Sequence, residues 1–167
     1  MLQKLDLNAL QENVFSLIGD RWMLITAGEG LSCNTMTAGW GGLGVLWGRN
    51  VATVYIRPQR YTYEFMEQNS CFSLSFLAEE YRPQLKLCGT KSGRDTDKIR
   101  ECGFQTKTGA GGTPYIAEAE LVLVCRKLYY SDLNPSHFLD PSIEKYYKDS
   151  DYHRMYIGEK VSMKPQV

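Results

Sequence analysis

The sequence predicts a mainly β protein, a closed or nearly closed antiparallel barrel carrying a few short helices. Three observations predict it. Short segments rich in β-branched and aromatic residues, or alternating apolar with polar ones, recur along the 167 residues. Glycine- or proline-bearing turns end them. The strand-helix alternation of a doubly wound sheet does not occur, and no G-x-G-x-x-G lies between a strand and a helix.

Length fits one domain over residues 1–167, large enough to bury about two-thirds of the surface that the unfolded chain would expose. Nineteen basic residues balance nineteen acidic ones, so no overall field draws the chain to nucleic acid or an anionic membrane. Cationic function must be local. No apolar run approaches the ~20 residues that span a bilayer, and Asp6 and Glu12 interrupt the place where a signal peptide needs its apolar core. A cytoplasmic protein is expected. Its five cysteines are odd in number and lack C-x-x-C spacing, so they read as reduced thiols, with Cys71 and Cys125 in core runs and Cys33 beside the first functional motif.

Residues 22–28 form a short apolar run ending in Gly28-Glu29-Gly30, which suits a strand and a glycine-bearing turn, and the chain returns through residues 32–40. Residues 51–57 are β-branched and aromatic and stop at Pro58. A helix is predicted over residues 63–69 with Thr62 as N-cap, because a Thr hydroxyl can accept from a first-turn amide. Alternation over residues 71–77 marks a half-buried strand. Two further helices are predicted, over residues 79–88 closed by Gly89 and over residues 95–102 with Asp95 as N-cap and Gly103 as stop. The glycine-rich residues 106–113 predict a mobile surface loop, and residues 115–130 a single long strand passing from surface to core. A turn-rich link over residues 134–140 leads to a last alternating strand over residues 152–161.

Three segments carry chemistry. The run Asn34-Thr35-Met36-Thr37-Ala38-Gly39-Trp40 supplies amides, hydroxyls and a soft or aromatic surface from Met36 and Trp40. Arg57-Pro58-Gln59-Arg60-Tyr61-Thr62 adds guanidinium groups and a hydroxyl beside a helix start, which suit a phosphate. Together they suit one anionic, ring-bearing ligand such as FMN. Glu64 in the same helical turn opposes a phosphate unless it points away. From these residues alone a competing reading stays open, with Arg57 and Arg60 as solvated charges at a strand end. The third segment, residues 91–98, is a glycine-containing cationic loop opening a helix. Its Lys98 would stabilise a reduced flavin if it sits near the pyrimidine edge, and is otherwise a solvated lysine paired with Asp95 or Asp97. His153, near several aromatics at a strand start, could meet a nicotinamide, whereas His137 reads as a surface residue. No metal-ligand spacing and no Ser-His-Asp arrangement stands out.

These runs, together with C-G-T-K-S-G-R-D-T-D-K, P-Y-I-A-E-A-E-L-V-L-V-C and H-R-M-Y-I-G-E, resemble in order the flavin reductase-like FMN-binding family, especially its flavoredoxin branch. The resemblance implies a six-stranded antiparallel Greek-key split barrel, a homodimer, and FMN near the subunit interface. It places Asn34, Thr35, Met36, Thr37, Ala38 and Trp40 around the ring and ribityl chain. Arg57, Arg60, Tyr61 and Thr62 fall on the phosphate side, Ser92, Gly93 and Lys98 complete the pocket, and His153 becomes the candidate catalytic residue near the nicotinamide. Asp151-Tyr152 replaces the family's usual Gly-Asp there, and residues 43–50 depart from its proline-containing link. The function implied is an oxidoreductase passing hydride from NAD(P)H to FMN and electrons onward to free flavin or a protein acceptor. The alternative is a flavoredoxin-type FMN electron carrier without efficient NAD(P)H oxidation.

Overall fold

A computed structural model describes residues 10–164, so the reading of Asp6 lies outside the described residues. The elements run β1 (Met23–Glu29), β2 (Ser32–Ala38), β3 (Gly41–Leu46), β4 (Arg49–Ile56), α1 (Tyr61–Gln68), β5 (Cys71–Phe76), α2 (Arg82–Thr90) and α3 (Lys98–Glu101). After them come β6 (Thr106–Thr108), β7 (Pro114–Ile116), β8 (Leu121–Asp132) and β9 (Arg154–Lys164). Seven strands form one sheet in the order β2-β1-β5-β8-β9-β4-β3, with every neighbouring pair antiparallel. The sheet curls on itself, because Met36 of one edge strand belongs to a core cluster on which Leu43 of the other edge strand packs. That is the expected mainly β split barrel with few short helices.

Two cores explain why the central strands read as continuous apolar runs rather than clean alternations. Met23, Ile25 and Ala27 of β1 enter the core inside the curl, as do Leu121, Leu123 and Cys125 of β8. The interleaved Leu24, Val122 and Val124 face a second core under α2, with Leu85 and Cys88. Both faces of these strands are therefore buried. Backbones are close where β9 crosses β5 and β8: a Cβ on Gly158 would lie 2.7 Å from Cε1 of Phe72 and 3.0 Å from the Cβ of Cys125. Phe72 is fully buried and cannot swing away. Gly158→Ala is expected to destabilise the fold by about 1–3 kcal/mol, read as a lowered urea midpoint with an unchanged slope.

The structure corrects several expected elements. The main sheet has seven strands, not six, because the glycine-rich residues of β3 pair with β4 despite weak strand propensity. Trp47 and Gly48, both with positive φ, make the two-residue turn that joins them. Helix α1 begins two residues earlier than predicted, with Arg60 rather than Thr62 at its cap. Helix α3 is shorter and is capped by Asp97, not Asp95, through the amide of Arg100 at 3.1 Å. The predicted mobile loop over residues 106–113 contains β6, which pairs with β7, and a turn of 3₁₀ helix at Ala110–Gly112. The single long strand is broken into β7 and β8 between residues 116 and 121. Among the described residues no helix is long and apolar enough to cross a membrane.

Candidate functional site

Where β4 ends, the chain turns through Arg57 to Arg60 into α1, and the C-terminal end of α2 with the loop after it closes over that turn. A recess of about 100 Å³ results, lined by Gln59, Arg60, Tyr61, Thr62, residues 90–93 and Lys98. Lys98 is only 3% exposed. Its ammonium donates to the Cys88 carbonyl at 3.0 Å, and the Arg60 guanidinium donates to the carbonyls of Gly89 at 3.0 Å and Cys88 at 3.3 Å. Neither forms an ion pair with a carboxylate among the described residues. Burial, and next the nearby Arg60, lowers Lys98 to about 8. A buried ammonium and a half-buried guanidinium that repel one another and have only carbonyl partners are costly unless an anion completes them. The first-turn amides of α1 add positive potential at the same place.

The neighbouring wall is equally specific. Thr62 is buried, and its hydroxyl oxygen accepts from Asn34 Nδ2 at 2.8 Å, which leaves the hydroxyl proton free to donate. A Cβ on Gly93 would fall 2.1 Å from Asn34 Oδ1 and 2.9 Å from Tyr61 Cδ1, so only glycine lets the loop approach this closely. Arg94 fastens the loop to α1: it donates to the Gln59 carbonyl at 3.0 Å, pairs with Glu64 at 2.5 Å and lies over the Tyr61 ring. Glu64 thereby has a partner of its own and is half exposed, which removes its opposition to an anion in the recess.

Arg60 also borders a second recess of about 230 Å³, lined by residues 36–40 at the end of β2, Tyr55, Arg57 and His153. Its walls are aromatic. The Trp40 ring lies 5.4 Å from His153 and 5.3 Å, edge-on, from Tyr146, and Tyr55 meets His153 edge-on at 6.4 Å. His153 Nδ1 stands 2.6 Å from the Tyr147 hydroxyl, a contact that fixes the ring. Burial, with a smaller push from Arg57, lowers its imidazole to about 4, so His153 is neutral near neutral pH.

All the candidate site residues except Thr35 border one of these two recesses or, for Asn34, an adjoining cleft that it shares with Cys33, Tyr61, Gly93 and Lys98. Strand alternation turns Thr35 the other way, fully buried, with its hydroxyl 2.9 Å from that of Thr26. Arg57 borders the aromatic recess rather than the cationic one, and it is paired with Asp151 at 2.7 Å. Burial raises the Asp151 carboxyl, but hydrogen bonds from Arg57 and Gln59 outweigh this and hold it below its ordinary range. Ser92 lines the cationic recess and accepts from the Arg94 amide at 3.2 Å. Lys98 stands with Arg60 and Thr62, at the far end from Trp40 and His153. His137 is exposed, as expected. Sequence reasoning missed Tyr55, Tyr146, Tyr147, the Asp151 partner and the carbonyls of Cys88 and Gly89; the aromatic density of residues 146–152 was the available signal.

An elongated anion with a flat ring at one end fits this arrangement: cations, a hydroxyl and a glycine cradle at one end, aromatic faces and a neutral imidazole at the other. A family model described as the flavin reductase like domain matches residues 16–163. No curated protein matches the chain. Among solved structures, flavoredoxin from Methanosarcina acetivorans superposes with a TM-score of 0.68 at 22% identity, covering 99% of this chain and 75% of that one. An FMN-binding protein from Thermus thermophilus, solved with 1-cyclohex-2-enone, gives 0.69 at 19% identity, covering 99% and 81%. A Streptomyces globisporus NADH:FAD oxidoreductase, solved with NAD and FAD fragments, gives 0.65 at 16% identity, covering 86% and 73%. At these identities the three establish the shared fold.

Proposed function

The chain belongs to the flavin reductase-like domain family, and from that premise we propose that it is an FMN-dependent oxidoreductase that takes hydride from NAD(P)H and passes electrons to free flavin or a protein acceptor. One observation carries the FMN assignment: buried Lys98 and half-buried Arg60, neither paired with a carboxylate among the described residues, border one recess in which a dianionic phosphate would neutralise both. Thr62 would hold the same group through a hydrogen bond from its hydroxyl, and the absence of a side chain at Gly93 would let the loop approach it. Ala38, Thr37 and Met36 then line the path toward Trp40, whose half-exposed ring offers a face to the isoalloxazine. Lys98 is accordingly a phosphate ligand rather than a tuner of the pyrimidine edge.

Bound FMN supplies the two-electron acceptor chemistry, so the protein needs no acid or base for the hydride step. Its residues position and insulate. His153, uncharged and held by Tyr147, closes the aromatic end as a rigid wall against which a nicotinamide can lie. The Arg57–Asp151 pair keeps the rim of that recess close to electrically neutral. The free thiols of all five cysteines support a reducing, cytoplasmic setting. The exposed apolar side chains of Val45 on β3, Trp47 in the β3–β4 turn and Tyr129 on β8, whose ring meets that of Trp47, support a homodimer.

The purified protein reconstituted with FMN is expected to bleach when mixed anaerobically with NADH or NADPH. A yellow protein that stays oxidised with both nucleotides would contradict the reductase reading and leave an electron carrier.

A further inference from the structure

We propose that Cys88 and Cys102 form a reversible dithiol–disulfide site that staples the loop on the phosphate side of the cofactor pocket. Their sulfur atoms lie 3.6 Å apart, the one thiol–thiol contact among the described residues. A disulfide requires the sulfurs to close from this contact to a bonded separation of ~2.05 Å. Cys88 is in the last turn of α2, and Cys102 is the C-terminal cap of α3. The segment they bracket, residues 89–101, carries Ser92, Gly93 and Lys98. The Cys88 carbonyl is also the common acceptor of Arg60 and Lys98. A bond between the two sulfurs would therefore tie the carbonyl that orients both cations to the helix that carries one of them.

The two thiols differ in access. Cys88 is fully buried, whereas Cys102 is half-buried and so meets an oxidant first. Burial, then the neighbouring Cys102, pushes Cys88 up to about 12, and burial raises Cys102 as well. Both stay protonated at neutral pH, which keeps the pair reduced until a small-molecule disulfide accumulates and makes its oxidation faster as pH rises. In that reaction Cys102 loses its proton and attacks one sulfur of the small disulfide, expelling a thiolate. Cys88 then loses its proton and attacks Cys102 Sγ, expelling the second thiolate. The protein gives up two protons and two electrons, and the small disulfide leaves as two thiols.

The sulfur pairing stands on its own geometry, while its effect on the cofactor rests on the FMN reading. Full-length apoprotein incubated with oxidised glutathione near pH 8 is expected to lose two free thiols, retain no glutathione, and give a crosslinked peptide joining residues 88 and 102. Cys102→Ser should abolish the crosslink and Cys33→Ser should not. Persistent glutathione adducts, or no thiol loss from the folded protein, would overturn the pairing. The oxidised holoprotein should release FMN roughly three- to tenfold more slowly than the reduced one, since a pre-ordered loop has less to lose on binding. Equal release rates would overturn the staple's role. Loss of FMN binding on crosslinking alone would likewise overturn the staple's role, whereas a protein that binds no FMN in either redox state would count against the cofactor assignment and leave the thiol result intact.

Discussion

Arg60→Ala is expected to weaken FMN binding by about 100-fold or more. A guanidinium makes charge-assisted hydrogen bonds worth about 1.5–3 kcal/mol each when desolvated, and every ~1.4 kcal/mol is tenfold in affinity. Arg60 is well placed to make them: its guanidinium is already oriented by the Gly89 and Cys88 carbonyls, so little entropy is lost when an anion arrives. Stability should respond differently. Removing the half-buried Arg60 relieves its repulsion with Lys98 while losing two carbonyl hydrogen bonds, so the apoprotein's melting temperature should move little. Arg60→Lys should fall between wild type and alanine, because it restores charge without the fork. Titration of FMN into each apoprotein, followed by flavin fluorescence, gives the comparison. An alanine variant that binds FMN normally would return Arg60 to the role of a structural clamp on α2.

Gly93→Ala is expected to cost about tenfold or more in FMN affinity together with about 1–2 kcal/mol of stability. The new methyl would overlap Asn34 Oδ1 at 2.1 Å and press on Cγ of the same residue at 2.8 Å. Asn34 is 7% exposed and tethered to Thr62, so it cannot move without breaking that 2.8 Å hydrogen bond. The loop must lift instead, which carries Ser92 and Lys98 away from Arg60. Gly42→Ala is the matched control, because a Cβ there meets nothing within 4 Å. Parallel binding and denaturation measurements on the two variants should separate them; equal behaviour would show that the loop has room to shift.

Much of this site was legible in the sequence because its chemistry is carried by local runs. The end of β2, the turn into α1 and the loop before α3 each declare donors, cations and a glycine within a few residues, and the fold brings those runs together around Arg60. What the sequence hid depends on pairings between distant positions. Arg57 read as a phosphate ligand because Asp151 lies 94 residues away along the chain. Lys98 read as either a ring-tuning cation or a solvated helix lysine. Its burial against the Cys88 carbonyl arises from α3 packing on β2 beside the end of α2, which no spacing encodes. Thr35 looked like one more hydroxyl in a polar run until strand alternation turned it toward Thr26. Strand β3 escaped notice because its glycines suppress β propensity, while a Trp-Gly turn with positive φ at both positions supplies the hairpin. Thr62 does not cap α1, since its hydroxyl oxygen accepts from Asn34, and the α3 cap falls to Asp97 because its carboxylate takes the Arg100 amide.

Buried Lys98 and half-buried Arg60, held only by backbone carbonyls and without a carboxylate among the described residues, are proposed to hold the phosphate of FMN. Isothermal titration of the apoprotein with FMN and with riboflavin, which carries the same ring and ribityl chain without the phosphate, tests that role most directly. FMN should bind at least about 100-fold more tightly, and Arg60→Ala should shrink that gap. Equal affinity for the two flavins would contradict it.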